Sequence, residues 1–157
     1  MRRIKNPFAG TKEYNCFGCD PGNHDGLRMQ FFEDGDEVVS FWEPQKQFEG
    51  YPNILHGGIQ ATLMDEVCAW AVYIQGKTAG VTVKMTVDFQ KPLRTDKGNI
   101  ELRAQVQSMS ERICTVAVKL FDGEGQVCST GELEYFIYPP EVAAKKLHFP
   151  GVEAFFE

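Results

Sequence analysis

Along "GVTVKMTVDFQ" (Gly80–Gln90) apolar and polar residues alternate. Val81, Val83, Met85, Val87 and Phe89 fall on one side, and Thr82, Lys84, Thr86 and Asp88 on the other. A period of two is the signature of a strand with one buried face. "NIELRAQVQSM" repeats it with Ile100, Leu102, Ala104 and Val106. "RICTVAVKLF" and "QVCSTGELEYFIY" read as two further strands joined by the hairpin loop "DGEGQ", and Pro139 and Pro140 end the last of them. Upstream, "LRMQFF" (Leu27–Phe32) and "EVVSFWE" (Glu37–Glu43) flank the turn "EDGD" and predict a first pair of strands.

One segment breaks this rule. In "LHGGIQATLMDEVCAWAVYIQG" (Leu55–Gly76) apolar residues occur on nearly every side of a helix running from Gly57 to Gln75, with Gly76 as its stop signal. Such a helix is about 28 Å long and needs cover over most of its surface. The order β-β-α-β-β-β-β therefore predicts an α+β fold, with one long central helix wrapped by a single curled antiparallel sheet. Residues 1–26 form an N-terminal arm with a cysteine-bearing loop, 27–138 the wrapped-helix domain, and 139–157 a C-terminal tail ending in a short helix or an irregular stretch.

Composition narrows the function. The chain has 157 residues, 43% hydrophobic and 24% charged, as in ordinary folded domains. A formal charge of −6 argues against nucleic acid as partner, because phosphate binding needs a basic surface. The densest apolar run, Val67–Ile74, is far short of the ~18 residues of a membrane span. The start, "MRRIKNPFAGTKEY", has basic residues without an apolar block behind them, so the expected location is the cytoplasm. Cys68, Cys114 and Cys128 lie inside apolar elements, where a thiol acts as a small hydrophobe. Cys16 and Cys19 form a C-x-x-C near His24. Three ligands fall short of the four of a structural zinc site, so the expectation is a turn-rich loop and no metal. No helix start follows the pair to activate a thiol for redox work.

The helix carries the candidate chemistry. Gly57 and Gly58 leave backbone N–H groups bare at a helix N-terminus, where the dipole favours an oxyanion. Asp65 and Glu66 are neighbours, about 100° apart around the axis, so one can face a crevice while the other faces elsewhere. A partly dry carboxylate is a better general base. Gly57 and Asp65 lie about 12 Å apart along the helix, too far for one carbonyl to touch both. Two antiparallel copies of the helix across a two-fold axis would bring Gly57 of one subunit to Asp65 of the other. No G-x-S-x-G elbow and no phosphate-cradling glycine loop is present, and no cofactor is called for.

"HGGIQATLMDEV", with its acid nine residues after the histidine, resembles the helix signature of hotdog-fold thioesterases of the phenylacetic-acid-pathway (PaaI-like) type. "GVTVKMTVDFQKPLRTDKG" resembles the strand and turn that follow it, and "CFGCDPGNHDGLRMQF" a family variant with a cysteine-bearing loop. The resemblance implies a hotdog fold and an acyl-CoA thioesterase without a Ser-His-Asp triad. Asp65 then activates water or attacks the thioester, the Gly57 N–H polarises its carbonyl, His56 shapes the turn, and Thr82 helps to hold the water. Asn53 stands in for a polar side chain that relatives carry where this chain has Gly50. Glu66 has no catalytic part and is interfacial or structural.

Lys91, Arg94 and Lys97 would meet the phosphates of coenzyme A. Trp70, Tyr73, Trp42 and Phe48 would line the acyl pocket. The partners implied are an acyl-CoA substrate and a second copy of the chain, as a homodimer or a tetramer of paired dimers. Two readings compete with the thioesterase. One is a non-catalytic hotdog protein that binds an acyl thioester. The other is a dehydratase of the same fold, disfavoured because His56 is used by the turn.

Overall fold

In the computed structural model, which describes residues 1–156, the alternating segments become strands of one antiparallel sheet. The elements are β1 (Arg2–Ile4), β2 (Phe31–Asp34), β3 (Glu37–Trp42), α1 (Gly57–Ile74), β4 (Gly80–Phe89), β5 (Ile100–Met109), β6 (Ile113–Phe121), β7 (Val127–Ile137) and α2 (Pro140–Lys146). The sheet order is β1-β2-β3-β5-β6-β7-β4, so β1 and β4 are its edges. The sheet curls around α1, which packs against β3, β4, β5, β6 and β7.

The inward faces show why the curl is stable. Ile100, Leu102 and Ala104 of β5, Cys114, Val116, Val118 and Leu120 of β6, and Leu133, Tyr135 and Ile137 of β7 are all buried. They meet Leu63, Met64, Val67, Cys68 and Ala71 of α1, each fully buried. Burial of a Leu, Val or Met side chain contributes about 1.5–3 kcal/mol relative to exposure, so this interface is the main cohesive element. Gln60, buried in the same layer, donates to the Leu55 carbonyl at 3.1 Å and accepts from Ser129 at 2.9 Å, so no polar cost is left uncompensated there.

Three local expectations are corrected. The first of the expected strands, β2, starts at Phe31 instead of Leu27, and the arm adds the unexpected strand β1 before it. Leu27 and Met29 give their N–H groups to Phe17 and Gly18 of the cysteine loop, which pulls this stretch out of the sheet. The helix stop at Gly76 works differently from a left-handed glycine cap. Lys77 is the left-handed residue, with φ 54°, and a Cβ on Gly76 would lie 2.6 Å from the Val72 carbonyl oxygen. The alternation of β4 breaks at a bulge between Thr82 and Lys84, which places Val81 and Val83 with the exposed residues.

The chain's two ends pack onto this domain. The tail forms α2 and a 3-10 turn at Val152–Phe155, and Ala143, Phe149 and Phe155 join the same core as Ile4 and Cys19. Arm and tail also meet directly, since Lys5 N–H donates to the Phe155 carbonyl at 2.7 Å and the Arg2 guanidinium sits 3.7 Å from the Phe156 ring centre. Among the described residues, no helix is long and apolar enough to cross a membrane.

Candidate active site

The start of α1 is built by His56. Its Nδ1 accepts the Gly58 N–H at 2.9 Å, capping the helix. With Nδ1 as acceptor, a neutral ring carries its proton on Nε2. A Cβ on Gly58 would stand 3.1 Å from that ring, which accounts for the glycine. Two consequences follow for the donors expected here. The Gly58 N–H is occupied, and the Gly57 N–H is left without a partner among the described residues. Gly57 is not demanded by internal space, because a Cβ there would make only an ordinary 3.7 Å contact with the Phe89 ring.

Two turns further along α1, the structure brings Asp65 and Thr82 together. Thr82 Oγ1 donates to Asp65 Oδ1 at 2.8 Å. Tyr135 Oη lies 2.8 Å from the same Oδ1 and 2.8 Å from the Asp65 carbonyl oxygen. Tyr135 and Thr82 are register partners on β7 and β4. Simple alternation from Met85 and Val87 would turn Thr82 outward, but the bulge after it reverses the sense and aims it at the helix. Burial, then the neighbouring Cys68 and Asp65, raise the Tyr135 pKa well above its ordinary value. The phenol therefore stays protonated and serves as a donor. Two hydroxyls on Oδ1 fix the carboxylate's orientation and leave Oδ2 for other chemistry.

Tyr135 does not stand out in the sequence, because an inward residue on an alternating strand looks like core. The one available signal is that a buried phenol must find a hydrogen-bond partner. Phe89, half-exposed over Gly57, is a second residue that periodicity assigns only to the core.

The other expected site residues are elsewhere. Asn53 has φ 62° in the turn before α1, and its backbone is tied to Glu49 and Thr95. Trp70 stacks on Phe31 with ring centres 4.4 Å apart and is 1% exposed. Tyr73 packs on Phe8, Phe149 and Phe155. Both lie on the Glu66 side of α1, covered by arm and tail, and not beside Asp65. Trp42 and Phe48 are likewise buried. Arg94 pairs with Asp96 at 2.6 Å, Lys97 with Glu124 at 3.1 Å, and Lys91 with Gln126, so these surface cations are held locally.

Glu66 faces the cysteine loop. Cys16 Sγ is 3.4 Å from Glu66 Oε1, Cys19 Sγ is 3.3 Å from Cys16 Sγ, and Tyr14 Oη is 2.8 Å from Cys19 Sγ. The hydrogen bond from the Cys19 thiol lowers the Cys16 pKa and raises that of Cys19 itself. Burial, with Cys16 beside it, raises Glu66 to about 7. His24, grouped with the cysteines by proximity in sequence, is exposed and stands outside this cluster.

Comparison with known proteins agrees with this architecture. The profile of the thioesterase superfamily matches residues 52–129, which run from the turn before α1 into β7. A protein of Saccharolobus solfataricus named "Putative esterase SSO1253" is 28% identical over 74% of this chain and 76% of its own. The crystal structure of RHA08564, a thioesterase superfamily protein, superimposes with a TM-score of 0.68 at 26% identity, over 74% of this chain and 57% of that one. The chain thus spans little more than half the length of that relative. The smu.793 protein of Streptococcus mutans, crystallised with acetyl CoA, has a TM-score of 0.67 at 14% identity, over 83% of this chain and 98% of its own. The fold is the hotdog fold.

Proposed function

We propose that this protein is an acyl-CoA thioesterase of the PaaI-like type, working as a homodimer with two equivalent composite sites. The observation that carries the reading is the double hydroxyl clamp on Asp65 Oδ1 by Thr82 and Tyr135. It holds the carboxylate at the β4 margin, a long sheet edge with Val81, Val83 and Phe89 exposed. Such an edge is a template for pairing with another strand. Pairing β4 with β4 of a second copy would extend the sheet and set the two α1 helices side by side. Gly57 of one protomer would then face Asp65 of its partner.

In this arrangement Asp65 Oδ2 takes a proton from water as the oxygen attacks the thioester carbonyl. The Gly57 N–H from the partner stabilises the oxyanion, a task for which its unused donor at the helix start is suited. Collapse of the tetrahedral intermediate breaks the carbon–sulfur bond. The thiolate recovers the proton from Asp65, giving a carboxylic acid and free coenzyme A thiol. The acyl chain would rest against Phe89, and Lys91 and Arg94, at the mouth of the following turn, would exchange their local partners for the substrate's phosphates. Support for the substrate class comes from the esterase-named relative and the acetyl-CoA-bound structural neighbour.

The test is a panel of acyl-CoA substrates with detection of released thiol, applied to the native chain and to Asp65→Asn. Turnover on at least one substrate, reduced by ~10²-fold or more in the variant, is expected for loss of a general base. Full turnover in the variant would reject the mechanism. Tight acyl-CoA binding with no turnover on any substrate would identify a ligand-binding hotdog protein instead.

A further inference from the structure

The segment from Lys5 to Gln30 contains neither helix nor strand, yet it lies against α1 as part of the core. A long irregular segment inside a compact domain calls for a reason. Glycines shape it tightly: a Cβ on Gly26 would fall 2.4 Å from the Phe17 carbonyl oxygen, and one on Gly18 2.5 Å from the Glu66 carboxylate. The loop thus closes directly on the one acid of α1 that the proposed catalysis does not use.

We propose that Cys16, Cys19 and Glu66 form a binding site for a thiophilic divalent cation of the zinc class, which clamps the N-terminal arm to the central helix. Their ligand atoms all lie within 4.8 Å of one another. Around a tetrahedral zinc two thiolates stand about 3.8 Å apart and a carboxylate oxygen about 3.5 Å from sulfur. The separations here are 3.3 Å between the sulfurs and 3.4 Å from Cys16 Sγ to Glu66 Oε1. Only small rotations of side chains would admit an ion between them.

Electrostatics favours an ion as well. Three electron-rich groups converge, and no lysine, arginine or histidine forms an ion pair with Glu66 among the described residues. The thiol protons that link Cys19 to Cys16 and Cys16 to Glu66 would be released on binding, and a divalent cation would take their place between the same atoms. All three residues line a cavity of about 730 Å³ whose wall also includes Tyr14, Tyr73 and His148, so a fourth ligand could come from that side. His148 is held there at φ 58°, a conformation unusual for a residue other than glycine. Three protein ligands and one open position is the pattern of a zinc site that retains water. The site lies on the Glu66 side of α1 and does not depend on the thioesterase reading.

The experiment uses the full chain, purified under reducing conditions. Zinc content is measured by mass spectrometry, and the metal-free chain is titrated with cobalt(II). One zinc per chain is expected, together with a thiolate-to-cobalt charge-transfer band and the intense visible bands of a four-coordinate ion. Cys16→Ser and Cys19→Ser should each weaken that charge-transfer band, and Glu66→Gln should weaken zinc binding at least ~10-fold. His24→Ala should leave it unchanged. Chelation should speed amide hydrogen exchange across Lys5–Gln30 and leave β5–β7 unaffected. A reduced native chain that holds no stoichiometric zinc and gives no charge-transfer band on cobalt addition would overturn the site, as would loss of binding in His24→Ala. The native-chain measurement decides even if a cysteine variant fails to fold.

Discussion

Tyr135, buried on β7, donates its hydroxyl to Asp65 on α1, reaching Oδ1 and lying equally close to the backbone carbonyl, 2.8 Å in each case. Seventy residues of sequence separate the two. The contact fixes the side chain and the local backbone of the proposed base together, and makes Tyr135 a positioning residue. A hydrogen bond to a charged group is worth about 1.5–3 kcal/mol. Tyr135→Phe should therefore fold but lose about tenfold or more in kcat, with KM little changed. A thiol-release assay over a range of substrate concentrations separates the two constants. A rise in KM alone would place Tyr135 with substrate binding.

Thr82 can be tested by chemistry at constant shape. Thr82→Val keeps the branched volume but removes the donor to Asp65 Oδ1, and Thr82→Ser keeps the donor. Val should lower kcat by about tenfold, since 1.4 kcal/mol is a factor of ten in rate, while Ser should retain most of it. Loss in Ser with activity kept in Val would show that the methyl group matters and the hydrogen bond does not.

The sheet and helix were largely legible, because period-two alternation in β5, β6 and β7 and the all-round apolar α1 each admit one answer. The same rule fails at Thr82 because a bulge shifts every residue beyond it to the opposite face, and one inserted residue leaves no mark on composition. Tyr135 and the Cys16–Glu66 contact are long-range, made by topology that local periodicity cannot express. Trp70 and Tyr73 look like pocket aromatics only while the arm and tail are set aside, and those segments are what cover them.

That cover gives a stability prediction. Phe155 is fully buried and contacts the rings of Phe8, Trp70, Tyr73 and Phe149. Phe155→Ala should destabilise the protein by about 3–5 kcal/mol. At about 2–4 °C per kcal/mol for a chain of this size, thermal unfolding followed by circular dichroism should show a Tm lower by about 6–20 °C. A Tm within a degree of the native value would mean that the tail is not part of the cooperative unit.

The composite site makes its sharpest prediction at Gly57. Proline is well tolerated at the first position of a helix, and the residue before it, His56, already has φ −58° and ψ 133°, as a residue preceding proline requires. The 3.7 Å approach to Phe89 leaves room for the ring's first carbon. Gly57→Pro should thus preserve the helix while deleting the N–H proposed to hold the oxyanion, with a loss of ~10²-fold or more in kcat. Mixing this variant with Asp65→Asn after reversible dissociation then distinguishes the two geometries. If Gly57 and Asp65 act across the two-fold axis, each mixed dimer contains one site with both defects and one with neither. About a quarter of native turnover should return from a statistical mixture in which half the dimers are mixed. If they act within one chain, every site in the mixture carries a defect and no activity returns.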